Sequence, residues 1–146
     1  VVVPTHSGAA VARNLSPTEA FSLRGERSDL YLLDVRTLGE YQQSRLEGAR
    51  LIPIDQFAKR LQEVPKDRPI LVYCAVGSRS AQVVNYLARQ GFPEIYNLYG
   101  GIYAWAQKGY PVLRGGLRAT KRAVSTIDVI KMMAKMMTSG YPFDSI

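Results

Sequence analysis

Residues 70–74, Ile-Leu-Val-Tyr-Cys, run without a polar break between the turn-forming Lys66-Asp67-Arg68-Pro69 and a loop of small residues. A strand with no polar alternation has two faces to bury, which marks an inner strand of a parallel sheet. Residues 29–35 (DLYLLDV) and 94–98 (EIYNL) read the same way. Residues 49–54 (ARLIPI) make a fourth strand candidate, with Pro53 at its edge or exit.

Helical signals lie between these runs. Ser16-Pro17-Thr18-Glu19 offers an N-cap, a first-turn proline and a capping-box glutamate ahead of Ala20, Phe21 and Leu23, with Gly25 as the stop. Residues 39–43 suit a short helical turn, and Asp55 is placed to cap a helix to Val64 with Phe57 and Leu61 on its apolar face. Val83, Val84, Tyr86 and Leu87 recur at helical spacing from about Ser80 to Gly91, and a last helix spans 102–108. Alternating strands and helices with short connections predict an α/β fold, an open parallel sheet with helices on both faces.

The chain has 146 residues, 47% apolar and 21% charged, enough to bury one compact core. Residues 1–13 read as a flexible lead-in, 14–112 as the domain, and 113–146 as a basic linker with a Met-rich C-terminal helix. Residues 112–146 hold six basic and two acidic side chains, +4 of the net +7. In that tail Ile127, Ile130, Met133, Ala134 and Met137 form one helical stripe, suited to packing on its own domain or to self-association. The tail lacks the dense basic run and interleaved aromatics of a nucleic-acid binder, and no apolar run is long enough for a membrane span.

In open parallel sheets the sites form beyond the carboxyl ends of the strands. Cys74, the only cysteine, ends the strongest strand and is followed by Ala75-Val76-Gly77-Ser78-Arg79-Ser80 and a helix. Successive loop N–H groups, the positive end of that helix and the Arg79 charge all favour thiolate over thiol. Gly77 lets the backbone curl around an oxyanion. The alternative for a lone cysteine is a small buried hydrophobe at a strand end. One cysteine makes no internal disulfide, which suits a reducing cytoplasm. His6, the only histidine, lies in the lead-in, which removes Cys–His acid–base chemistry.

Over residues 14–112 the chain resembles the rhodanese family of sulfurtransferases. The resemblance is carried by Leu33-Asp34-Val35-Arg36 with Glu40-Tyr41, Gly48-Ala49 with Ile52-Pro53, Val72-Tyr73-Cys74 with Gly77-Ser78-Arg79-Ser80, and Gly100-Gly101 with Ala104-Trp105. It implies that the Cys74 thiolate takes the outer sulfur of thiosulfate or a related anionic donor. The resulting persulfide would pass that sulfur to cyanide, a thiol or a protein, with no metal or organic cofactor. Amides from Ala75 to Ser80 would hold the anion, Asp34 would orient the loop, and Arg36 would support the fold or bind the anion. An internal Asp34–Arg36 ion pair is the competing reading. Related phosphatases have one more residue between cysteine and arginine. The four here, Ala75 to Ser78, suit sulfur rather than phosphate. With Ala75 and Val76 apolar, Arg79 is the loop's only cation, which makes thiosulfate a mediocre donor. Trp105 and the Gly100-Gly101 turn read as core and chain reversal. Two alternatives remain: a non-catalytic anion-binding or docking module, and a sulfur-relay subunit docking through its tail.

Overall fold

The computed structural model describes residues 11–116. His6 and the Met-rich stripe lie outside them. In chain order come β1 (Val11–Leu15), α1 (Pro17–Glu26), β2 (Tyr31–Asp34), α2 (Leu38–Gln43), β3 (Ser44–Arg45), β4 (Arg50–Leu51), 3-10 turns at Ile54–Gln56 and Ala58–Glu63, β5 (Ile70–Tyr73), α3 (Ser78–Arg89), β6 (Glu94–Leu98), α4 (Gly101–Gln107) and β7 (Leu113–Arg114). Five strands form one parallel sheet in the order β1-β6-β5-β2-β4. The expected α/β architecture is therefore present, with the apolar β5 at its centre.

Strand periodicity divides the core. Ile70, Val72 and Cys74 face one side with Leu33, Val35, Ile52 and Phe57, covered by Val83, Val84 and Leu87 of α3. Leu71 and Tyr73 face the other with Leu32 and Leu98, covered by Ala20 of α1 and Ile102 and Trp105 of α4. Trp105 is fully buried and donates from Nε1 to the Pro111 carbonyl at 2.8 Å, so it is core, as expected. The parity of β5 turns Cys74 toward the face on which α3 begins.

Several local expectations change. Residues 11–13, assigned to a lead-in, belong to β1, which pairs with β6 from Val11↔Glu94 to Leu15↔Leu98. As an edge strand β1 buries only Ala12 and Leu15, so its sequence, VARNL, shows no apolar run. Gly25 does not stop α1. The helix ends at Arg27, whose extended backbone breaks the ladder while its N–H bonds the Leu23 carbonyl. The segment after Pro53 forms 3-10 turns instead of a helix capped by Asp55, with Arg60 outside helical geometry at φ −113°. Phe57 and Val64 are nevertheless buried, so the apolar pattern holds although the hydrogen bonding is that of 3-10 turns. At the C-terminal edge, Leu113 and Arg114 are not linker. They pair antiparallel with β3, and the Gly115 N–H bonds the Gln43 carbonyl at 2.8 Å. Among the described residues no helix is long and apolar enough to cross a membrane.

Beneath the carboxyl end of the sheet lies a buried ion pair. Arg36 Nη2 meets Asp34 Oδ2 at 2.6 Å, its Nε bonds both carboxylate oxygens, and its side chain is 4% exposed against 0% for Asp34. Arg36 also donates to the Ser44 carbonyl at 2.6 Å. Removing one member would strand the other charge away from water. Asp34→Ala is expected to cost about 3–5 kcal/mol of folding free energy, read as a lower urea midpoint. A loss below about 1 kcal/mol would show that the pair does not brace this end of the sheet.

Candidate active site

The loop after β5 closes on the Cys74 sulfur. Gly77 is the N-cap of α3, with φ +104° and no side chain to accept the helix's free N–H groups. Sγ takes that acceptor role. It receives the Gly77 N–H at 3.0 Å, the Ser80 N–H at 3.4 Å and the Ser80 hydroxyl at 3.3 Å. Burial pushes the thiol up, but the Ser80 hydroxyl and the Ser80, Gly77 and Val76 amides outweigh it, so the net shift is downward. A sulfur standing where a helix cap belongs is better satisfied as an anion, and the helix dipole acts in the same sense.

The underside of the loop is pinned by α4. Ile102 N–H donates to the Cys74 carbonyl at 2.9 Å and Tyr103 N–H to the Ala75 carbonyl at 3.1 Å. Gly101 makes that approach possible: a Cβ there would run into the carbonyls of Ala75 and Cys74. The Gly100-Gly101 turn thus does more than reverse the chain, since it seats α4 against the loop.

The predicted residues are brought together in part. Cys74 and Ser80 are fully buried at the centre of the loop, Ala75, Gly77 and Arg79 are half-buried, and Val76 and Ser78 are exposed. Arg79 is not a free loop cation. Its Nη1 and Nη2 bond Glu40 Oε1 and Oε2 at 2.8 and 3.0 Å. The Arg79 guanidinium, against some desolvation and with help from the Thr37 N–H, holds the Glu40 carboxyl down to about 2. The loop amides and Ser80, more than Arg79, are what surround the sulfur. Asp34 and Arg36 stand under the site as a mutual pair. Arg36 also lies over the Tyr73 ring at 5.5 Å, and the Tyr73 hydroxyl, which accepts from Leu46 N–H at 3.1 Å, is pushed well above the usual phenol range by burial and the nearby Asp34 charge. Their contact with the reacting end runs through Tyr73, the residue before Cys74.

Sequence reasoning gave no role to Glu40, although it stands in one of the family segments. It also passed over Asn97, whose Nδ2 reaches the Gly77 carbonyl at 3.3 Å. Neither carries a local signal, because each meets the loop only through tertiary contact.

With this geometry in place, likeness to known proteins is specific. Residues 16–108 match the model of the rhodanese-like domain. A sulfurtransferase of Allochromatium vinosum is 39% identical over 97 residues, 66% of this chain and 91% of that protein. The thiosulfate sulfurtransferase GlpE of Coxiella burnetii is 32% identical over 93 residues, 64% of this chain and 86% of its own. The crystal structure of a rhodanese-related protein from Thermoplasma volcanium superposes with a TM-score of 0.64 at 28% identity, covering 69% of this chain and 97% of that one. The amide-ringed cysteine at the end of the central strand sits within the matched span, and the chain belongs to the rhodanese-like domain family.

Proposed function

We propose that this protein is a sulfurtransferase that carries a sulfane sulfur on Cys74. The observation that carries the reading is the ring of donors around Sγ at the start of α3, which favours the thiolate. The sulfurtransferase names of the relatives support the same chemistry. In the first half-reaction the Cys74 thiolate attacks the outer sulfur of a donor such as thiosulfate. An S–S bond to Sγ forms, the donor's S–S bond breaks, and sulfite leaves with the electron pair. In the second, cyanide, a thiolate or a protein thiolate attacks the outer sulfur of the persulfide, and the Cys74 thiolate leaves. No net oxidation of the protein occurs, and the two half-steps give ping-pong kinetics. A donor reaches the sulfur past the exposed residues Val76 and Ser78 at the rim of the loop.

Arg79 is matched by Glu40, so the cradle offers a doubly charged donor amides rather than an unpaired loop guanidinium. That favours singly charged persulfide or thiosulfonate donors over thiosulfate.

Incubation of the full chain with a sulfane donor, followed by intact-mass measurement, is expected to show one adduct of about 32 Da. The adduct should disappear on addition of cyanide. Its rate of formation should rise with pH as the thiol ionises and level off below the roughly 8.5 of free cysteine. Failure of thiosulfate, a thiosulfonate and an organic persulfide all to form the adduct would overturn transfer from small donors and leave an anion-binding or docking role or a relay loaded by a protein donor.

A further inference from the structure

Asn97, at the carboxyl end of β6, is a buried polar side chain that the sheet itself does not need. It is 2% exposed, and its neighbours on the strand are apolar. Its Nδ2 donates to Asn14 Oδ1 at 3.0 Å and to the Gly77 carbonyl at 3.3 Å, while its own Oδ1 is buried with no hydrogen-bond partner among the described residues. A buried amide oxygen left unpaired is unfavourable, and an aliphatic side chain would fill the position without it. The Gly77 carbonyl fixes the amide orientation, because turning it over would set the amide oxygen against that backbone acceptor. What the residue contributes is its N–H2 group, and half of that goes to the loop.

Gly77 is where a force on the loop has most leverage. Its N–H makes the shortest contact to Sγ, at 3.0 Å, while its carbonyl opens the α3 ladder by accepting from Ala81 N–H at 3.2 Å. With φ at +104°, its peptide planes have the rotational freedom of a glycine and no side chain to lock them. The carbonyl lies in the Gly77–Ser78 peptide and the N–H in the Val76–Gly77 peptide, so a second bond to the carbonyl holds one of the two planes that meet at the Gly77 Cα and thereby limits how far the first turn of α3 can rotate away from the sulfur.

We propose that Asn97 is a positioning residue for the sulfur cradle: held by Asn14, its amide anchors the Gly77 carbonyl so that the Gly77 and Ser80 N–H groups stay aimed at Cys74 Sγ. Asn14 faces Asn97 in the β1–β6 register, so the edge strand becomes part of the site's support. The proposal deepens the reading of Cys74 as the reacting thiolate. Its test reads the thiol itself, independently of sulfur transfer.

The experiment compares the full-length wild type with Asn97→Leu and Asn14→Ala by the pH profile of iodoacetamide alkylation and by thermal melting. Asn97→Leu removes the unpaired oxygen together with the anchor, so melting is expected to change by only a few degrees. Its alkylation profile is expected to move to higher pH, with the rate at pH 7 falling roughly threefold to tenfold. Asn14→Ala should move the profile in the same direction by about twofold. A folded Asn97→Leu protein with an unmoved profile would overturn the proposal. If that variant does not fold, Asn97→Ser and Asn14→Ala decide, and unmoved profiles in both overturn it. A wild type that takes up no sulfane sulfur while Asn97→Leu still shifts the alkylation profile would count against the sulfur-transfer reading alone.

Discussion

Cys74→Ser is expected to abolish sulfur transfer, by about a thousandfold or more, while leaving the fold nearly intact. A serine hydroxyl is close in shape to the thiol and would still meet the Gly77 N–H, the Ser80 N–H and the Ser80 hydroxyl. The cradle would thus keep an acceptor at its centre, and stability should change by no more than about 1–2 kcal/mol. Reactivity is another matter. The amides lower an ionisation that in a thiol already lies near neutral pH, whereas an alcohol starts so far above it that the same donors leave it protonated. An oxygen nucleophile also forms no persulfide. Sulfite release from thiosulfate and thiocyanate formation from cyanide should both fall to background, beside an almost unchanged melting curve. Residual turnover within tenfold of wild type would mean that the sulfur travels without passing through Cys74.

The site was legible in the sequence where it is contiguous. Cys74 to Ser80 are adjacent in the chain and lie between a strand and a helix that both announce themselves, β5 by an unbroken apolar run and α3 by Val83, Val84 and Leu87. Parity along β5 then decides which face the thiol takes. Legibility ended where the argument passes through space. Glu40 is 39 residues from Arg79 and Asn97 is 20 from Gly77, and nothing in their neighbourhoods distinguishes them from a surface glutamate or a strand asparagine. Arg79 stands out in the sequence as the loop's only cation, while the Glu40 carboxylate that pairs with it lies on another helix. The same limit hid β1. An edge strand gains its hydrogen bonds from one neighbour, and β1 buries only Ala12 and Leu15, so VARNL carries too little apolar signal to stand out. Asp34 and Arg36 show the intermediate case. Two residues apart, they were legible as an ion pair, but their link to Cys74 runs through Tyr73, over whose ring Arg36 lies.

Gly101→Ala is expected to be the most damaging single methyl in the domain. Gly101 has φ +66°, which an alanine tolerates at a cost of about 1–2 kcal/mol. The larger effect is steric. The new Cβ would overlap the carbonyl of Ala75 and approach the Cys74 oxygen to 2.5 Å, and these are backbone atoms that no rotamer change can move aside. Relief requires α4 to lift from the loop, which breaks the Ile102 and Tyr103 N–H bonds to those two carbonyls. The expected loss is more than about 3 kcal/mol, or a fall in melting temperature above roughly 12 °C for a domain of this size. Gly109→Ala supplies the control. Gly109 also has positive φ, at +81°, but its Cβ would meet nothing within 4 Å, so it should lose only the backbone strain. Equal losses in the two variants would show that strain alone acts at Gly101. A much larger loss at Gly101, with Cys74 alkylation slowed at temperatures where the protein is still folded, would show that the contact between α4 and the loop holds the sulfur cradle closed.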